Sequence, residues 1–150
     1  MSNVVVPQGA DPTDTPVADR RERLHFGSFT FTRLPTGRCS VHVVLEYDGK
    51  QFVGHSEGQS SPIGDLRLGA EAAMQAVEAF AEGSLGLELM GVKLIRAFDS
   101  NVVIVSTTQR SARENGMVGC YLVEKDAVRG AALALMNATN RVLGNYLATR

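Results

Sequence analysis

From Phe26 onward, hydrophobic positions recur first with period two and then with period three to four, and this succession occurs twice. Phe29 and Phe31 alternate with Ser28, Thr30 and Thr32, a short strand closed by Pro35-Thr36-Gly37. A longer alternation runs from Val41 to Glu57 around Asp48-Gly49, the dipeptide of a two-residue hairpin turn. With that turn, Tyr47 pairs with Lys50, Leu45 with Phe52 and Val43 with Gly54. Val41, Val43, Leu45, Tyr47 and Phe52 then share one face, while His42, Glu46, Gln51, His55 and Glu57 share the other. A bulged turn would slip the pairing by one residue and scatter the apolar set, so the first register is preferred. A loop is expected over 58–64, with Ser61 as N-cap and Pro62 at the first helical position. Leu66, Ala70, Ala73, Met74, Val77 and Phe80 then recur at helical spacing, and the helix is expected to end near Glu82-Gly83.

The second succession begins with strands over 87–98 and 102–108, joined by a turn at Asp99-Ser100-Asn101. Val102-Val103-Ile104-Val105 is continuously apolar, which predicts a central strand covered on both faces. A polar loop over 110–116 precedes a strand from Met117 to Val123. Asp126 opens a last helix with a stripe of Val128, Ala132, Leu135, Thr139, Val142 and Tyr146. Phe52-Val53-Gly54 and Met117-Val118-Gly119 each close a strand, and each precedes a helix containing Gly-Ala, at Gly69-Ala70 and Gly130-Ala131. The expected fold is therefore α+β, two βββα repeats, with each antiparallel sheet covered by one helix. Residues 25–150 form this single domain. Residues 1–24, rich in Pro, Asp, Thr and Arg without apolar periodicity, read as a disordered leader.

Composition narrows the function more than it defines it. The chain has 150 residues and 44% hydrophobic side chains, enough for a core without disulfides or metal. Fifteen basic against 16 acidic residues argue against a nucleic-acid partner, which needs an excess of Lys and Arg. No apolar run spans a bilayer and no secretory signal is evident, so a cytoplasmic location without membrane attachment is expected. Two cysteines, Cys39 and Cys120, make neither a disulfide framework nor a zinc site. Buried small-residue packing is expected for Cys120. Gly-rich phosphate loops, nucleophile elbows and HExxH or CxxC motifs are absent.

Several features together resemble the C-terminal regulatory domain of 2-isopropylmalate synthase, a leucine-sensing dimerisation module. They are the alternating strand and Asp-Gly hairpin ending in Gly54-x-x-Glu57-Gly58, and the helix start at Ser61-Pro62-Ile63. Leu89-x-x-Val92-x-Leu94-x-x-Ala97-x-Asp99 follows, then Asp126-Ala127-Val128 opening a helix that carries Leu135-x-Asn137-Ala138-x-Asn140. The similarity covers about residues 39–143. It implies the fold, a tendency to pair, and a small-molecule site near the helix starts. The catalytic barrel of that enzyme needs about 250 residues and has no room here. Extra residues over 58–66 depart from the family's shorter turn, so leucine specificity is not carried over.

The helix starts, at Ser61 to Leu66 and Asp126 to Arg129, present free N–H groups and the positive end of a dipole, which suits a carboxylate or phosphate. Gly58, Ser61, Pro62, Ile63, Asp126, Ala127 and Asn140 are accordingly the candidate ligand-binding residues, with both starts facing a common cleft if the repeats are related by a pseudo-twofold. Against this, Ser61 and Asp126 also read as ordinary caps of their own helices. His42 and His55 stand opposite each other with Glu57 diagonal, a spacing that fits a metal site or an acid/base pair. With no third ligand in a recognisable motif, an ordinary polar sheet face is the preferred reading, and no metal, cofactor or catalytic residue is assigned. Arg110, Arg113 and Glu114 read either as a ligand lid or as a solvated loop. The expected function is a non-catalytic module that forms a homodimer or higher homo-oligomer and binds a small carboxylate metabolite. The alternatives are a scaffolding protein without a ligand, or a small enzyme with an inter-subunit site using His42 or His55.

Overall fold

A computed structural model describes residues 23–149. The order is β1 (His25–Arg33), β2 (Arg38–Tyr47), β3 (Lys50–Gln59), α1 (Pro62–Phe80), β4 (Leu87–Ala97), β5 (Ser100–Gln109), β6 (Ala112–Val123) and α2 (Ala127–Ala148). The strands form two antiparallel three-stranded sheets, β1-β2-β3 and β4-β5-β6, each followed by one helix. This is the expected tandem of βββα units.

The β2–β3 hairpin turns at Asp48 and Gly49, whose φ angles of 51° and 78° give the left-handed pair that a two-residue turn demands. Tyr47 pairs with Lys50, Leu45 with Phe52 and Val43 with Gly54, as the alternation requires. Strand β3 runs on to Gln59, so the expected loop before α1 shrinks to Ser60 and Ser61. Ser61 caps the helix by accepting from Gly64 N–H at 3.0 Å. The second sheet differs from expectation at both turns. Its first turn is Phe98-Asp99, one residue early, with both residues left-handed at φ of 54° and 61°. Its second turn is Arg110-Ser111, and residues 112–116 belong to β6, beside a register shift between Thr107 and Gln109.

Both helices dock on their sheets through the same device. Gly54 on β3 lies where any Cβ would collide with the backbone of Ala72 and Ala76 on α1, and Gly119 on β6 faces Ala134 and Ala138 of α2 in the same way. The residue after each glycine is then tied to the helix by a side-chain amide. His55 N–H donates to Gln75 Oε1 at 3.1 Å, and Asn137 Nδ2 donates to the Cys120 carbonyl at 2.8 Å. Small side chains at all six positions bring backbone to backbone, and the amides satisfy polar groups beside a contact too tight for water.

The helices also pack on each other, Gly69 of α1 meeting the backbone and side chain of Val128 on α2. Near their far ends the Phe80 ring lies 5.6 Å from that of Tyr146, so the helices run in the same sense. Helix α1 additionally packs on β4, and α2 reaches β1, so each helix touches the first strand of the other half. One core results, from Val41, Val43 and Leu45 through Val77 and Leu135 to Val103 and Val105.

The outer faces of the two sheets differ. On the first sheet Thr30, His42 and His55 form one outward row, with Ser40 and Glu57 on one side of it and Val44 and Val53 on the other, Val53 being 53% exposed. On the second, Ile95, Val102 and Leu122 form one outward row, with Ile104, Cys120 and Val118 alongside. Leu122 is 54% exposed and Val118 67%. Strand β5 is central, as its apolar run predicts, but within that run only the inward residues Val103 and Val105 are fully buried; Val102 and Ile104 are half-buried. The second cover expected for β5 does not come from the described residues of this chain.

Candidate functional site

The helix starts are closed by their own side chains. At α1, Asp65 is buried and accepts from Ser60 Oγ at 3.0 Å, Ser61 N–H at 3.2 Å and the Cys39 thiol at 3.2 Å. At α2, Asp126 accepts from Arg129 N–H at 3.1 Å. Each start thus carries an acidic group where a bound anion would place its charge, and electrostatics there disfavour a second one. Nor do the two starts meet. Gly69, which touches Val128, is seven residues into α1, so about 10 Å of α1 projects past the start of α2.

The candidate ligand-binding residues fall into three separate places. Gly58 lies on β3 against Leu68, and Ser61, Pro62 and Ile63 are exposed at the α1 start nearby. Asp126 is exposed and Ala127 half-buried at the α2 start. Asn140 lies 13 residues beyond Ala127, about 20 Å along the same helix. It lines a cavity of about 510 Å³ between the start of β1 and the second half of α2. The other six line neither this cavity nor two smaller ones at Tyr47–Phe80 and at Leu85–Tyr146.

The larger cavity has an apolar wall of Leu24, Phe26, Leu143 and Leu147, with Arg23, His25 and Asn140 as its polar members. Arg23 and Leu24 fall at the end of the segment read as a leader, and Leu24 packs against the core; residues 1–22 lie outside the described ones. The repeat explains why a cavity opens here. Two residues after Ala76, Glu78 accepts the Leu87 N–H at 2.6 Å and closes the start of β4. Two residues after Ala138 stands the shorter Asn140, and the corresponding space at the start of β1 stays open. That substitution is visible in the sequence only once the glycine-alanine contacts have aligned the helices.

His42 and His55 pair across β2 and β3 with ring centroids 4.3 Å apart, both exposed. Glu57 is diagonal to them and engaged by Arg38 at 3.4 Å. Among the described residues, no group of three or more His, Cys, Asp or Glu side chains is placed to hold a metal ion. Arg110 and Arg113, the candidate lid cations, both bind Glu88, at 3.3 and 3.1 Å, and with Arg113 the stronger influence they hold its carboxyl below the ordinary range. Cys120 is exposed, against the expectation that it is buried. Cys39 is the buried one, its thiol pushed up by burial and by the Asp65 carboxylate, whereas Cys120 faces outward because its neighbour Gly119 takes the helix side.

A scan against protein-family models returns no match, and neither does a search of curated protein sequences. Among the described residues, no helix is long and apolar enough to cross a membrane.

Proposed function

We propose that the chain is a non-catalytic module that pairs with a second copy of itself through the outer face of β4-β5-β6. The observation that carries this reading is the one-sided cover of β5. A continuous apolar strand belongs in a sheet covered on both sides, and here one side is bare. The matching face of the first sheet mixes Val44 and Val53 with Thr30, His42, His55 and Glu57, so the longer apolar surface around Leu122 and Val118 belongs to the second sheet. A like-to-like contact would bury the apolar rows of both copies, with Lys93 beside them on β4. The resemblance to a dimerising regulatory domain agrees with the fold and with this pairing.

The same reading gives the module a small carboxylate metabolite in the cavity beside Asn140. A volume of about 510 Å³ suits a small molecule, and an apolar wall with an arginine at its rim suits a carboxylate with a short hydrocarbon tail. Regulation would then follow from differential affinity: a ligand that bridges β1 and α2 stabilises the packing of the halves that has this spacing. Scaffolding without a ligand is the second reading, favoured by the acidic side chains that close both helix starts.

Sedimentation velocity on the full chain tests the pairing, with twice the 16.1 kDa chain mass expected. Val118→Lys combined with Leu122→Lys should give a folded monomer. A wild-type chain that stays monomeric at high micromolar concentration overturns the reading. A thermal-shift panel of amino and keto acids tests the ligand. A rise that Asn140→Ala abolishes supports the cavity, and a flat panel leaves the scaffold.

A further inference from the structure

The outer face of the first sheet carries a feature that neither pairing nor the cavity uses. His42 and His55 are direct cross-strand partners, exposed, with rings 4.3 Å apart and tilted by 38°. We propose that this pair is a two-imidazole chelate for a late first-row divalent cation, with Zn²⁺, Ni²⁺ and Cu²⁺ as the chemical class.

The geometry comes from the backbone. Ten consecutive paired positions between β2 and β3 lock the register, and the Asp48-Gly49 turn fixes it from one end. Both side chains therefore leave the sheet on the same side at the same height. A cation held by two imidazoles sits about 2.1 Å from each nitrogen, which places those nitrogens about 3 to 3.5 Å apart. Rings whose centroids are already 4.3 Å apart reach that separation by side-chain rotation alone. No backbone has to move and little ordering is left to do.

The ligand set also decides the class of ion. Two neutral nitrogen donors favour borderline cations along the Irving–Williams order and offer nothing to Mg²⁺ or Ca²⁺, which take oxygen donors. The nearest carboxylate on this face, Glu57, is held by Arg38, so the site rests on the two histidines. The remaining coordination positions face solvent because both rings are exposed, leaving them to water or to a donor from another molecule. Such a site binds metal reversibly; it is not a structural zinc centre, which needs four protein ligands.

The test uses the full, metal-stripped chain without an affinity tag. Titration with Cu²⁺ followed by electron paramagnetic resonance should show one equivalent with two nitrogen ligands, and calorimetry with Zn²⁺ should give the same stoichiometry. His42→Gln and His55→Gln should each turn the chelate into a single ligand and weaken binding on the order of 100-fold. Mg²⁺ should give no heat. Far-ultraviolet dichroism confirms that the variants fold, which the exposure of both positions favours. Absence of Zn²⁺ and Cu²⁺ binding at millimolar concentration overturns the proposal. So does equal binding by the wild type and the double variant, which would place the ion elsewhere, for example on exposed Cys120. None of these readouts depends on pairing or on the cavity, so the outcome is separate from theirs.

Discussion

Two side chains of the same type, Cys39 and Cys120, differ in chemistry because adjacent residues in a strand face opposite sides. Cys39 is fully buried and its thiol donates to Asp65, so burial first and the carboxylate second keep it protonated. Maleimide should therefore label Cys120 in the native protein and Cys39 only on unfolding. Peptide mass spectrometry checks this, and rapid native labelling of Cys39 would contradict the buried Cys39–Asp65 contact. Cys120 lies on the proposed pairing face, so its labelling should slow as protein concentration rises. Glu88 offers a second residue-level prediction. Arg113 and then Arg110 lower its carboxyl below the ordinary value of 4.5, although partial desolvation opposes them. A depressed folded pKa contributes stability that is fully present above the unfolded value and is lost as pH falls through the folded one. The melting temperatures of wild type and Glu88→Gln should thus differ by a small constant amount above pH 4.5. That gap should close as pH falls through the lowered folded value, and a gap that persists once the carboxyl is protonated would contradict the Glu88–Arg113 contact.

At the level of elements, the two glycine contacts set how closely each helix approaches its sheet. Gly54→Ala and Gly119→Ala would each drive a methyl group into helix backbone, where no side chain can rotate away. Each should cost about 3 kcal/mol, with Gly91→Ala, which meets nothing, as the control. Chemical denaturation measures the difference. These glycines also show what the sequence makes legible. Their positions within the repeat are plain in the alternation, but that they face Ala72, Ala76, Ala134 and Ala138 follows only from the helix crossing. The β2–β3 register is legible because Asp48-Gly49 names its turn type. The β4–β5 turn is not, because Phe98 adopts a left-handed conformation that a bulky residue disfavours by roughly 1–2 kcal/mol. Phe98 is also 99% exposed, so no packing within the described chain compensates. The site was harder still to read. Capping patterns located both helix starts correctly, but the Asp65 contacts that close one of them come from Cys39 and Ser60, one of them distant in sequence. The cavity depends on a space between β1 and α2 that no local pattern records.

For the whole molecule, the question is whether two repeated halves are two folding units. Each helix of about 20 residues buries a face against its own sheet, an arrangement that would serve two small independent domains. The contacts between halves argue otherwise. Phe80 packs edge-on against Tyr47 and Phe52 of the first sheet, at 5.1 and 5.3 Å, and against Tyr146 of α2 at 5.6 Å. At the other end Gly69 and Val128 bring the helices to backbone contact. Neither half alone, at roughly 60 residues, would bury enough surface to be comfortably stable. Removing the Phe80 ring opens a cavity on the seam, so Phe80→Ala should destabilise by about 3–5 kcal/mol. More tellingly, it should lower the stability of both halves together. Hydrogen exchange should then report the same loss of protection in β2, which Phe80 adjoins through Tyr47, and in β5 of the other sheet. If β5 kept its protection while β2 lost it, the halves would be separate cooperative units.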